Sequence, residues 1–182
     1  LVTSGPGATN LVTGIATANF DSVPLVCFTG QVSRDLIGND AFQEVDIVGV
    51  TRNICKYAVT VRDRNELPTI IKKAFYIART GKPGPVVIDI PKDIQTAMGN
   101  EEYPEEIAIR GYKPASGVHA GQIKKAMSML KSAKKPVILV GGGVRIAGAE
   151  EVLTEFAEKM NIPVITTIMG KGAMSSNHRL YV

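Results

Sequence analysis

Two kinds of hydrophobic run alternate along this chain. Short continuous apolar runs occur at 24–29 (Pro-Leu-Val-Cys-Phe-Thr), at 85–90 (Pro-Val-Val-Ile-Asp-Ile) and at 136–140. Runs of this length predict strands buried on both faces. Helical spacing lies between them. Residues 10–20 read as a helix with Leu11, Ile15 and Ala18 on one face, and 45–55 as a second. Residues 66–80 read as a strong third, with Asn65 as its cap, Pro68 in its first turn and Gly81 ending it. Residues 57–61 alternate as a strand, and 1–3 end another. Strands alternating with helices at this spacing predict an α/β fold, with a parallel sheet flanked by helices.

The pattern changes after the third strand. Residues 94–117 hold Pro104, Pro114 and several glycines and glutamates with little periodicity, and read as a linker. A second Rossmann-like α/β unit begins at about 118: a helix over 119–132, a strand over 136–140 and a turn at Gly141, Gly142 and Gly143. A helix over 147–159, a strand over 163–167 and a turn at Gly170-Lys-Gly172 follow. The divisions expected are therefore 1–93, 94–117 and 118–182. The run Thr3-Ser-Gly-Pro-Gly-Ala-Thr-Asn10 starts almost at the first residue, with no Met before it. Only Leu1 and Val2 stand where its leading strand belongs, so the chain reads as an internal fragment of a larger enzyme.

Composition narrows the class. Hydrophobic residues make up 45% of the chain and charged residues 21%, as in soluble globular proteins. Much of the net charge of +4 sits on Lys124, Lys125, Lys131, Lys134 and Lys135, a solvated helix face and the turn after it. No Trp is present and Tyr and Phe are scattered, which argues against nucleic-acid binding. Cys27 and Cys55 make neither a metal site nor a disulfide framework, so a reducing, cytoplasmic location is expected. No apolar run approaches the roughly 20 residues of a membrane helix. A transit peptide ahead of Leu1 stays open.

Several groups can carry chemistry. Gly5-Pro6-Gly7 allows a backbone to approach a ligand closely, and Asn10 can cap a helix or donate to a heteroaromatic ring. The alternative is a tight strand-to-helix turn. Gly141–Gly143 stands where a dinucleotide turn would, yet Ile146 breaks the G-x-G-x-x-G pattern, and Thr166 and Thr167 offer no acid for a ribose. A purely structural turn is the other reading. Asp40-Ala-Phe42-Gln43-Glu44 puts polar groups and an aromatic in a long loop after a strand, where parallel sheets bind ligands. Lys92 follows the 85–90 strand at the same edge and suits a carboxylate substrate, or is an ordinary surface lysine. His119 and His178 have no evident partners and read as structural or exposed.

Together these segments resemble the acetolactate synthase (acetohydroxyacid synthase) large-subunit family of thiamine-diphosphate enzymes. The resemblance rests on Thr3–Asn10, Phe28-Thr-Gly-Gln31, Asp40–Glu44, Gly84-Pro-Val-Val-Ile-Asp-Ile-Pro-Lys-Asp93 and Val140-Gly-Gly-Gly-Val144, in that order. Single motifs are shared with pyruvate oxidases and related carboligases; Phe42-Gln43 combined with Pro91-Lys92-Asp93 is more specific. The resemblance implies that 1–93 is the later part of a pyrimidine-binding domain and 118–182 the start of a central FAD-binding domain. Pro6 and Asn10 would lie near the thiamine aminopyrimidine, and Gln43 would reach the reaction centre. Phe42 and Lys92 would line the substrate channel from the neighbouring subunit's side. Lys82, Gly141, Gly142, Gly143, Thr167 and Ile168 would contact FAD.

The resemblance further implies pyruvate and 2-ketobutyrate as substrates, a homodimer or tetramer, and a regulatory small subunit. It places the catalytic glutamate before Leu1 and the Mg2+ site beyond Val182, so the isolated fragment is expected to be inactive. Two positions depart from the family pattern. Lys82 stands where an Arg is usual, keeping the charge but losing the planar fork. Ser33 stands where a Pro linked to herbicide sensitivity is common. The alternatives are another thiamine-diphosphate carboligase or oxidase (glyoxylate carboligase, pyruvate oxidase), or a non-catalytic nucleotide-binding module.

Overall fold

Each strand of the first sheet has helices to pack against on both faces, because successive residues of a strand point to opposite sides. In the computed structural model, which describes residues 1–99, 102–115 and 117–182, the chain forms two units, Leu1–Ala115 and Ser116–Val182. The first holds a parallel sheet ordered β1-β3-β2, with β1 at Leu25–Gln31, β2 at Tyr57–Thr60 and β3 at Pro85–Pro91. Val2 adds a parallel bridge to Thr29 on the outer edge of β1. Val86 and Ile88 face one core, against Ile70, Ala74 and Ile77 of α4 (Leu67–Arg79). Val87 and Cys27 face the other, against Ile15 of α2 (Val12–Asp21). The α/β class expected from the sequence is the one observed.

Several boundaries differ for local reasons. Helix formation begins earlier than 10, in the turn α1 (Pro6–Thr9), where Pro6 tolerates the first helical position. The region 45–55 contributes only α3 (Ile47–Thr51), capped by Asp46, whose carboxylate accepts from Gly49 N at 2.8 Å. Asn65 is not the cap of the third helix. Asp63 caps a 3-10 turn, Arg64–Glu66, by accepting from Asn65 N at 2.9 Å, and α4 follows directly. β1 runs on through Gly30 and Gln31 because its backbone still pairs with Ile90 and Pro91.

The described residues between β3 and Ala115 belong to the first unit. α5 (Lys92–Thr96) opens immediately. Ile109 and Tyr112 pack on the α4 core, and Lys56 Nζ donates to Thr80 O at 2.6 Å, to Tyr112 Oη at 3.1 Å and to Ile77 O.

The second unit pairs β4 (Ile138–Val140) with β5 (Val164–Thr166) in parallel. His119 caps α6 (Ala120–Ser132), its Nδ1 accepting from Gln122 N at 3.3 Å. The triple glycine opens only a four-residue turn, α7 (Gly143–Ile146), and the longer helix α8 (Glu150–Met160) starts beyond it. A turn this short carries little macrodipole, so a dinucleotide turn at Gly141–Gly143 has weak electrostatic support. Ala157 of α8 packs against Val140, Val164 and Leu180.

Candidate functional site

The opening glycine turn and the Phe-Gln loop meet. Gly5 has φ +58° and Gln43 φ +60°, both in the left-handed region. A Cβ on Gly5 would lie 2.8 Å from Gln43 Cβ and 2.9 Å from Gln43 O, so only glycine fits here. Gln43, a non-glycine residue, is held in a conformation that side chains disfavour, which is a recurrent property of functional loops.

The loop that carries Gln43 is closed by its own carboxylate. Glu44 Oε1 accepts from Gly38 N at 2.5 Å, and Oε2 from Ala41 N at 3.0 Å. Those bonds, Gly38 first, hold the Glu44 carboxyl below the usual carboxylate range. At the tip, Phe42 is 89% exposed.

Beside this contact, at the carboxyl edge of the sheet, lies a cavity of about 640 Å³. Thr3, Ser4, Gln31, Ile90, Lys92 and Gln95 are among its walls. Carboxyl edges of parallel sheets are where such folds bind ligands. Lys92 brings the one positive side chain among the residues that line it. Its neighbour Asp93 is fixed by Arg34, whose Nε donates to Asp93 Oδ2 at 2.6 Å and whose backbone N donates to Oδ1 at 3.1 Å. Arg34 Nη1 also donates to Arg62 O at 2.5 Å, tying together the segments after all three strands. The Arg34 side chain above all keeps the Asp93 carboxyl below its ordinary range.

The structure thus brings Gln43 to Gly5, and places Lys92 and Ser4 in the wall of one cavity. Pro6 and Asn10 are exposed at the two ends of the α1 turn. Lys82 is exposed, and its Nζ donates to Asn19 O at 2.8 Å.

In the second unit, Gly141, Gly142, Thr167 and Ile168 gather at the carboxyl ends of β4 and β5. Thr167 N donates to Val140 O at 2.8 Å, and Thr167 Oγ1 accepts from Gly170 N at 3.1 Å. A Cβ on Gly142 would lie 3.2 Å from Met169 Cβ, while one on Gly143 would meet nothing within 4 Å. Ile168 is 89% exposed.

Two features escaped the sequence reading. Asp89 is 1% exposed in the central strand and bonded to Thr29, Gln31 and Thr60; the available signal was a carboxylate inside an apolar run. His178 does have partners: it sits 3.1 Å from Glu158 Oε1 through Nε2, while its Nδ1 accepts from Leu180 N at 3.2 Å. An accepting Nδ1 leaves Nε2 as the donor to Glu158. Among the described residues, no group of three or more His, Cys, Asp or Glu is placed to hold a metal ion, and no helix is long and apolar enough to cross a membrane.

The thiamine pyrophosphate enzyme N-terminal TPP binding domain matches residues 1–50, and the thiamine pyrophosphate enzyme central domain matches 123–182. The chain is 54% identical over 180 residues to the acetolactate synthase large subunit of Buchnera aphidicola subsp. Schizaphis graminum, covering 98% of this chain and 32% of that protein. It is 50% identical over 181 residues to the acetolactate synthase isozyme 3 large subunit of Escherichia coli, with 98% and 32% covered. It is 51% identical over 181 residues to the probable acetolactate synthase large subunit of Methanococcus aeolicus, with 98% and 30% covered. The chain therefore spans about a third of the length of these relatives.

Proposed function

Because the chain belongs to the thiamine pyrophosphate enzymes and is homologous throughout to acetolactate synthase large subunits, we propose that it is part of a carboligase. The enzyme joins pyruvate to a second 2-keto acid, giving 2-acetolactate or 2-aceto-2-hydroxybutyrate for branched-chain amino-acid synthesis. The observation that carries this reading is the seating of Gln43 on Gly5 beside a cavity walled by Lys92.

Thiamine diphosphate, when bound, supplies a carbon nucleophile and an electron sink for decarboxylation. The residues present fit such a group: Gly5, lacking a side chain, lets Gln43 pack directly on the opening turn, and Pro6 and Asn10 stand exposed at the two ends of the helical turn that follows, open to the pyrimidine. Gln43 reaches the reacting centre as an uncharged hydrogen-bond donor. Lys92, exposed at the cavity wall, faces the carboxylate of the 2-keto acid, where its positive charge offsets the negative one. Phe42, exposed on its loop, covers the substrate path across a subunit boundary of a homodimer or tetramer, keeping water from the reacting carbon.

FAD is assigned to Gly141, Gly142, Gly143, Thr167 and Ile168, at strand ends suited to such a ligand, and has no net redox role. Mg2+ is assigned to a part of the enzyme outside these residues. A regulatory small subunit and a cytoplasmic location belong to the same reading.

The test uses the full-length protein with pyruvate, alone and with 2-ketobutyrate. Acetolactate formation that depends on added thiamine diphosphate is expected. A different carboligation or oxidation product assigns the chain to another enzyme of the superfamily. FAD or ADP binding with no response to thiamine diphosphate replaces the proposal with a nucleotide-binding module.

A further inference from the structure

The central strand holds one ionisable group that the proposed chemistry does not use. The parallel register puts Thr29 and Thr60 level with Asp89, one on each side. Asp89 Oδ1 accepts from Thr29 Oγ1 at 2.8 Å. Oδ2 accepts from Gln31 Nε2 at 3.1 Å and from Thr60 Oγ1 at 3.2 Å. Burial pushes the Asp89 carboxyl upward, and these three bonds oppose it. A buried carboxylate is a poor way to stabilise a strand, since a well-packed apolar residue does at least as well. Its use here points to a requirement other than packing.

Gln31 shows what the requirement is. Its amide donates to Asp89 and also to Val45 O at 2.7 Å, while its Oε1 accepts from Val32 N at 2.9 Å. Both N–H groups and the oxygen are occupied. A carboxylate can only accept, so it forces the NH2 end of Gln31 inward, and the second N–H then meets Val45. Val45 directly follows Phe42-Gln43-Glu44 and leads into the Asp46 cap of α3. The base of the Phe-Gln loop is thereby pinned to the sheet, at the level where Gln31 also walls the Lys92 cavity.

We propose that Asp89 is a positioning residue: it orients the Gln31 amide, which holds the Val45 carbonyl and fixes the loop that lays Gln43 on Gly5. The inference rests on the reading that Gln43 works at the reaction centre.

The test compares Asp89→Asn, Gln31→Met, the double variant and Thr60→Val in the full-length enzyme. Asp89→Asn can offer Gln31 either end of its amide and so loses the orientation. Thr60→Val removes a bond to the same carboxylate but leaves the link to Gln31. Asp89→Asn and Gln31→Met are each expected to lower kcat roughly tenfold or more, the scale of a small misplacement of a reacting group. Thiamine diphosphate affinity should stay within about twofold, and amide exchange over 38–46 should accelerate. The double variant should be no worse than either single one, as for residues acting in one chain. Thr60→Val should keep kcat within about twofold whatever its melting temperature.

Additive losses in the double variant, unchanged exchange over 38–46, or an equal loss from Thr60→Val would each overturn the proposal. If Asp89→Asn does not fold, Gln31→Met against Thr60→Val carries the same comparison. A wild-type enzyme with no thiamine-dependent turnover would refute the earlier reading instead, and the exchange data would still decide whether Asp89 and Gln31 hold the loop.

Discussion

Gly5 and Gln43 face each other with both backbones in the left-handed region, at φ +58° and +60°, and no room between them for a methyl group. Gly5→Ala therefore incurs two penalties: the strain of a side chain at positive φ, and displacement of Gln43. A loss of roughly 1–3 kcal/mol in stability is expected from the strain alone. Turnover should fall further than that instability explains, because Gln43 must move. Thermal melts paired with kcat would show this, and an active, fully stable Ala variant would contradict the packing described.

Gln43 itself separates strain from function. Gln43→Gly should leave stability within about 1 kcal/mol of wild type, since glycine adopts φ +60° freely. Gln43→Val should lose roughly 1–2 kcal/mol, because a β-branched residue fits that region worst. Both variants should lose turnover, lacking the amide. Equal urea midpoints for the two would show that the loop relaxes, and that the left-handed conformation is not imposed on it.

What the sequence revealed, and what it hid, follows from how each feature is encoded. β3 was legible because every position from Val86 to Ile88 is fully buried, leaving an unbroken apolar run. The last residues of β1 were not, because Gly30 and Gln31 are a glycine and a polar residue that interrupt the apolar run while the ladder continues beneath them. Asp63 and Asn65 are two cap-forming residues two positions apart, and only geometry decides that Asp63 accepts the bond. The helix expected over 45–55 shrank because Asp46 caps late and Gly49 lies within it. That the opening glycine turn and the Phe-Gln loop belong to one site was implied by the family resemblance; the direct packing of Gln43 on Gly5 was not, since it depends on the positive φ of both residues. The Asp89 network and the His178–Glu158 contact required tertiary placement, since each joins residues 20 or more positions apart.

The pair Arg34–Asp93 gives a pH dependence of definite sign. Arg34 lowers the folded-state pKa of Asp93. Below the unfolded value, about 3.9, the unfolded chain takes up the proton before the folded one does. The stabilisation is thus present above about 3.9 and disappears as pH falls through the lower folded value. Glu44, depressed by its bonds to Gly38 and Ala41, behaves in the same sense. Asp93→Asn should therefore be less stable than wild type at pH 7, with the gap closing under acid conditions. Urea midpoints between pH 7 and pH 3 check this; a gap that widens on acidification would rule out the ion pair as its source.

Two glycines of the second unit separate packing from ligand contact. Gly170 is buried, and a Cβ there would lie 2.9 Å from Val140 C and closer still to its oxygen. Neither atom belongs to a flexible side chain, so Gly170→Ala must move the end of β4 or the turn that Thr167 caps. Overpacking of this kind costs roughly 1–3 kcal/mol. Gly143 differs: a Cβ there meets nothing within 4 Å, and it lies inside the α7 turn. Gly143→Ala should leave the fold intact, or more stable by up to about 1 kcal/mol through helix propensity. If FAD lies against Gly143, as proposed, the added methyl weakens FAD binding without touching the protein. In the full-length enzyme, quenching of flavin fluorescence measures binding, and melting in the absence of flavin measures the fold. Gly170→Ala should lower both, and Gly143→Ala only the first. Normal flavin affinity in a stable Gly143→Ala protein would remove the triple glycine from the FAD site and leave it a structural turn.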